Sequence, residues 1–218
     1  MTVKHHLSDE LLLSYASGNL SEGWSLAVAT HLALCPECRK RLAAAEAVGG
    51  ALFEAIDPVA VEADALDNVM DRIALPVAEA ADIRSSKPEQ ATAPEDLSFP
   101  EPLRSYLGDR LNWRRLGSAQ QIKIATGDRG TTCRLLKIPG GQPMPVHGHR
   151  GMELTLVLKG SFSDDDGTFA RGDIEEADEG IEHQPIATEG EDCICLAVTD
   201  APLRFRGLAA LMQPFLRI

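Results

Sequence analysis

Apolar positions in the first third of the chain recur at helical spacing, and those in the second half recur at strand spacing. Ser8 stands ahead of an acidic first turn at Asp9 and Glu10 and predicts a helix that Gly18 stops. Ser21 caps a second helix running through Trp24, Leu26, Val28 and Leu32 towards Leu34. Pro36 breaks that run but suits the first turn of a third helix, roughly Glu37 to Ile56. Beyond Asp57-Pro58, Leu66, Val69, Met70 and Ile73 fall at i, i+3, i+4 and i+7, a single apolar stripe whose other faces carry Glu62, Asp64, Asp67 and Asp71.

Residues 76–96 hold Pro76, Pro88, Pro94 and Ser85-Ser86 with few large apolar side chains, and read as a linker. From Leu97 onward, short β-forming runs (CRLLKI, LTLVL, CICLAV) alternate with turns at PGG, KGS and DDDG. The pattern predicts two domains, helical over 1–75 and a small antiparallel barrel or sandwich over 97–218. No internal repeat is present.

Composition narrows the function classes. The 218 residues are 44% hydrophobic and 25% charged, an ordinary globular balance. No stretch approaches the roughly 18 apolar residues of a spanning helix. The start, MTVKHHLSDELLLSYASG, is too polar and too acid-flanked for a secretory signal, so a cytoplasmic location is expected. A net charge of −12 disfavours direct nucleic-acid or membrane binding, which needs a basic face. The charge is uneven, −9 over residues 1–96 and −3 over the rest, so a basic protein partner would meet the helical part. Five cysteines in a reducing compartment are read for metal or redox chemistry before disulfides.

His31-Leu-Ala-Leu-Cys35-Pro-Glu-Cys38 gives H-x3-C-x2-C at a helix–helix junction. Two thiolates from a Cys-x2-Cys loop reach one ion, and His31, about a turn before Cys35, reaches the same point. A tetrahedral zinc needs a fourth ligand from His5 or His6, and His6 is preferred. The competing readings are a reduced, buried cysteine pair beside an incidental histidine, or a redox dithiol, for which the βαβ context is missing. The arrangement resembles the zinc-binding anti-sigma domain family over about residues 1–75. That resemblance implies a small helical bundle that clamps an extracytoplasmic-function sigma factor away from core RNA polymerase and promoter DNA. The acidic fourth helix with its stripe of Leu66, Val69, Met70 and Ile73 is then the partner-binding candidate; the alternative is a helix packed on its own bundle.

The stretch from Gly141 to Gly160 holds His147, His149 and Glu153, which alternate as inward-facing strand residues do. Gly172, Gly180 and His183 follow. These stretches look like the paired cupin motifs. The first fits G-x5-H-x-H-x3-E-x6-G throughout; the second has Asp178 in place of the family's Pro and Ala187 in place of its Asn. The resemblance implies a cupin-type antiparallel β-barrel holding a divalent ion by His147, His149, Glu153 and His183, with zinc expected, although iron, manganese and nickel suit the same ligands. Arg134 or Arg150 could serve a substrate. Cys193 and Cys195, two apart on a strand, share one side of the sheet, as an oxidisable pair or as buried core thiols.

The order of the two parts resembles the ChrR-type anti-sigma factors over nearly the whole chain. It implies a regulator in which the helical domain, with its zinc, inhibits one sigma factor one-to-one and the cupin domain responds to singlet oxygen or a related oxidant. The rival reading is a metal-dependent cupin enzyme, of dioxygenase or isomerase type, with a helical oligomerisation arm.

Overall fold

In the computed structural model, residues 2–74, 99–107, 111–128, 130–202 and 204–205 are described; the linker expected over 76–96 lies outside them. Helices α1 (Asp9–Ala16), α2 (Glu22–Leu34), α3 (Pro36–Glu54) and α4 (Ala65–Ala74) come first. Ser8 caps α1 by accepting the Leu11 N–H at 3.3 Å. Ser21 holds the cap position of α2 without making a side-chain bond. The third helix starts at Pro36, one residue ahead of the expected start, because Cys35 is its cap: its sulfur accepts the Cys38 N–H at 3.4 Å. A short helix α5 (Glu101–Arg104), which the apolar pattern does not announce, leads into the strands.

The strands are β1 (Arg114–Leu116), β2 (Ala119–Ile124), β3 (Thr132–Ile138), β4 (His147–Gly148), β5 (Glu153–Lys159), β6 (Ser161–Asp164), β7 (Gly167–Ala170), β8 (Ile174–Ala177), β9 (Glu182–His183), β10 (Ile186–Ala187), β11 (Cys193–Thr199) and β12 (Arg204–Phe205). They form a six-stranded sheet in the order β1-β2-β3-β11-β5-β8 and two three-stranded sheets, β10-β6-β7 and β12-β4-β9. Every pairing is antiparallel. The architecture is the expected α+β arrangement of helices followed by a cupin-type antiparallel β fold.

One apolar core runs across the boundary drawn from composition. Leu26, Val28 and Leu32 of α2 share a cluster with Leu135, Leu154, Leu156, Leu196 and Val198 of the large sheet. Helix α2 is therefore buried on several sides, and its Gly23 lies so close to Thr131 and Cys133 that any side chain there would collide. Polar contacts add to this face. Glu22 accepts from the Tyr106 hydroxyl at 2.8 Å and from the Gly127 N–H, while Asp128 accepts the Gly23 N–H at 3.0 Å. The small helical unit thus gains from the sheet the burial that it is too short to supply alone.

Candidate metal centres

The helical centre is built at the α2–α3 corner. Helix α2 brings His31 to its last turn, Cys35 bridges the two helices, and Cys38 follows in the first turn of α3. His6 Nδ1 lies 3.2 Å from Cys35 Sγ and 3.7 Å from Cys38 Sγ, and His31 Nε2 lies 3.2 Å from Cys38 Sγ. All four donor atoms fall within 4.8 Å of one another. Tetrahedral zinc with ordinary Zn–S and Zn–N bonds requires N···S separations of about 3.5 Å, so this set has the size and chemistry of a closed structural zinc site. Burial pushes the Cys38 thiol up to about 11 and His31 down to about 4, the latter partly opposed by the Gly172 backbone. A bound cation reverses the penalty on the Cys38 thiol, because a coordinating thiol loses its proton.

His5, the other histidine considered for this site, turns away. Its ring packs against Phe169 at a 32° tilt with centroids 4.2 Å apart, and its Nδ1 lies 3.6 Å from Asp173 Oδ2. The segment carrying His6 is further tied to α3 by Arg41, which donates to the Leu7 carbonyl at 2.8 Å and pairs with Asp9.

The second centre lies inside the β fold. Strand β4 presents His147, which pairs across the ladder with His183 of β9, and Glu153 opens β5. His149 lies just past the two-residue β4, so a loop and not strand alternation brings it inward. His149 Nε2 and His147 Nε2 each lie 3.2 Å from His183 Nε2, and the four ligand atoms, Glu153 included, lie within 4.8 Å. All four residues are buried. The outer nitrogens are fixed by acceptors. His147 Nδ1 faces the Pro145 carbonyl at 2.9 Å, and His183 Nδ1 faces Glu175 at 2.9 Å and Asp164 at 3.2 Å. Each of these bonds turns an Nε2 towards the common point, the usual support of metal-binding imidazoles.

Burial lowers His147 and His149 to about 4 and raises Glu153 to about 7. For His183 burial acts downward, but the Glu175 and Asp164 carboxylates outweigh it and lift the ring to about 9. Three inward ring nitrogens can share only one proton, whereas a divalent cation satisfies all three and the carboxylate together. The residues fit such an ion; their nitrogen and oxygen donors suit several divalent metals.

Glu175, Asp164 and Asp173 escape the sequence reading because they stand in ordinary acidic runs. The one available signal is an acidic residue at an inward strand position of β8, where burial favours an apolar side chain. The two departures from the second motif are structurally accommodated. Asp178 closes a turn by accepting the Gly180 N–H at 2.8 Å, and Ala187 packs in the core opposite Phe162.

Beside the second centre is a cavity of about 80 Å³, lined by Arg134, Met144, Phe162 and Cys195 together with the candidate ligands His147 and Glu153. Arg134 is buried and bonds Gln121 at 3.2 Å, whereas Arg150 is exposed and outside the lining. Cys193 and Cys195 are both buried, their sulfurs 3.4 Å apart. The stripe residues Leu66, Val69, Met70 and Ile73 are all exposed, so α4 does not pack on its own bundle.

The chain is similar to known proteins along its whole length. The ChrR cupin-like domain family matches residues 108–202. The anti-sigma-E factor ChrR of Cereibacter sphaeroides is 50% identical over the whole of both chains. The crystal structure of Rhodobacter sphaeroides SigE in complex with the anti-sigma ChrR matches with a TM-score of 0.74 and 48% identity, over 91% of this chain and 100% of that one.

Proposed function

The chain belongs to the ChrR family of anti-sigma factors, and we propose that it binds an extracytoplasmic-function sigma factor one-to-one and withholds it from RNA polymerase. As a member of that family it is a regulatory binding protein and not an enzyme. Inhibition belongs to the helical part over residues 1–75, and the response to oxidative stress, with singlet oxygen as the inducer, passes through the cupin part over 97–218. The complex is cytoplasmic; among the described residues no helix is long and apolar enough to cross a membrane.

The observation that carries this reading is the unpartnered apolar face of α4. Leu66 and Ile73 are each 71% exposed, with Val69 at 50% and Met70 at 55%. Val48, Leu52 and Phe53 of α3 are exposed as well. A stripe of four apolar side chains on one helix face, with Asp64, Asp67 and Asp71 on the other faces, fits a docking surface for an apolar groove on a partner whose surrounding surface is basic. The relative whose complex with SigE has been solved supports the kind of partner.

Zinc at His6, His31, Cys35 and Cys38 would pin the N-terminal segment to the α2–α3 corner and so hold the helices in the shape the partner meets. A divalent ion at His147, His149, Glu153 and His183, zinc on our reading, would tie β4, β5 and β9 together. The test is co-expression with the extracytoplasmic-function sigma factors of the same organism, one at a time, followed by size-exclusion chromatography and in vitro transcription. A one-to-one complex that fails to support promoter-specific transcription is expected. Separate elution of the two proteins with transcription undiminished would overturn the proposal.

A further inference from the structure

Strand β8 contacts a residue of the cupin centre with one face and, from its outer face and free edge, the chain on either side of His6. It ends the six-stranded sheet and pairs on one edge only, with β5. Residues alternate across a strand, so Glu175 points into the barrel while Ile174 and Glu176 point out. Glu175 holds His183 Nδ1 at 2.9 Å. Outside, Glu176 accepts the Ser8 N–H at 2.7 Å, and the Ile174 N–H reaches the His5 carbonyl at 3.4 Å.

Asp173, at the entrance to β8, completes the contact. Its Oδ1 accepts the Lys4 N–H at 2.5 Å and the His5 N–H at 2.9 Å, and its Oδ2 accepts the Ala170 N–H at 2.9 Å. Only 2% of Asp173 is exposed, so its charge depends on these donors, two of which belong to the N-terminal segment. Next to it, Gly172 is at φ +95°, and an added Cβ would lie 2.8 Å from Val3 Cγ2. Residues 3–8 are therefore gripped on both sides of His6, whose ring is aimed at Cys35 and Cys38.

We propose that β8 couples the two metal centres: Glu175 grips His183 on the cupin side, Asp173 and Glu176 grip the segment carrying His6, and emptying the cupin centre loosens the helical one. The inference rests on the two-part reading above and supplies the route by which the cupin part acts on the inhibitory part. When His183 leaves its position, Glu175 loses its partner inside the barrel and β8 is free to shift. Because Asp173 and Glu176 hold backbone N–H groups, the shift is passed to the chain on both sides of His6.

Cobalt(II) in place of zinc separates the centres, since only the helical one has sulfur ligands and hence a sulfur-to-cobalt charge-transfer band. The full chain is loaded with cobalt, and loss of that band to EDTA is timed. In the otherwise unaltered chain, His147→Ala with His149→Ala should speed the loss at least tenfold. In an Asp173→Asn or a Glu176→Ala background the same cupin change should alter the rate by less than twofold. Glu176 is only partly buried, so its variant keeps the test decisive if Asp173→Asn fails to load. An unchanged rate on emptying the cupin centre, or an equal acceleration with the grips removed, overturns the proposal. Capture of the sigma factor is measured separately on the same variants, so loss of partner binding there counts against the functional reading and not against the coupling.

Discussion

The imidazole of His183 and the carboxylate of Glu175 face each other at 2.9 Å inside the barrel, and both are almost completely buried. This contact aims the other ring nitrogen at His147 and His149, so a residue outside that four-residue set orients one within it. Glu175→Gln should lower cupin metal affinity by about 10–100-fold, read by competition with a chelator of known affinity. Affinity within twofold of the parent would show that Asp164 alone orients the ring.

The pH dependence of the same centre follows from its protons. His183 is raised to about 9, so metal entry displaces one proton at neutral pH. Glu153 is raised to about 7 and adds a second proton below that value, whereas His147 and His149, at about 4, add none until far lower. Apparent affinity should fall about tenfold per pH unit from 9 to 7 and more steeply from 7 to 5. Proton release measured in two buffers of different ionisation enthalpy checks this; binding independent of pH over that range contradicts it.

The turn at Gly172 offers a stability test. A side chain there meets both a positive φ and Val3, beside the point where the Gly172 backbone touches the surroundings of His31. Gly172→Ala should cost about 1–3 kcal/mol from backbone strain alone, seen as a lower midpoint in urea. An unchanged midpoint would mean that Gly172 does not hold a positive φ in solution.

The exposed stripe of α4 makes the opposite prediction. Val69→Asp with Met70→Asp removes no buried contact, so the thermal midpoint should stay within about 2 °C, a shift that corresponds to about 0.5–1 kcal/mol. Sigma-factor affinity should fall at least 100-fold, about 2.7 kcal/mol. Retained affinity would place the partner elsewhere, the exposed end of α3 being the next surface to examine.

The sequence made the two clusters legible because metal chemistry imposes fixed spacings, H-x3-C-x2-C at a helix corner and H-x-H-x3-E entering a strand, and the fold brings those residues together. The cap at Ser8 and the first-turn proline at Pro36 were readable for a similar reason, since they act locally. What could not be read is long-range. Helix α2 is covered on several sides because it lies between α1, α3 and the large sheet, a placement that no helical periodicity announces. Asp173 and Glu175 look like other surface acids until their partners, 168 residues away at His5 and eight away at His183, are seen. Strands β4 and β9 are two residues long, below the length at which alternation is visible.

The central claim is that a zinc ion held by His6, His31, Cys35 and Cys38 shapes the surface that captures a sigma factor. The most direct measurement is titration calorimetry of the purified sigma factor with the zinc-loaded chain and with Cys35→Ser, Cys38→Ser, each checked for metal content. The account predicts a one-to-one complex for the zinc-loaded chain and at least a 100-fold weaker interaction once zinc is lost from the helical centre. Undiminished one-to-one binding by the zinc-free variant would contradict it.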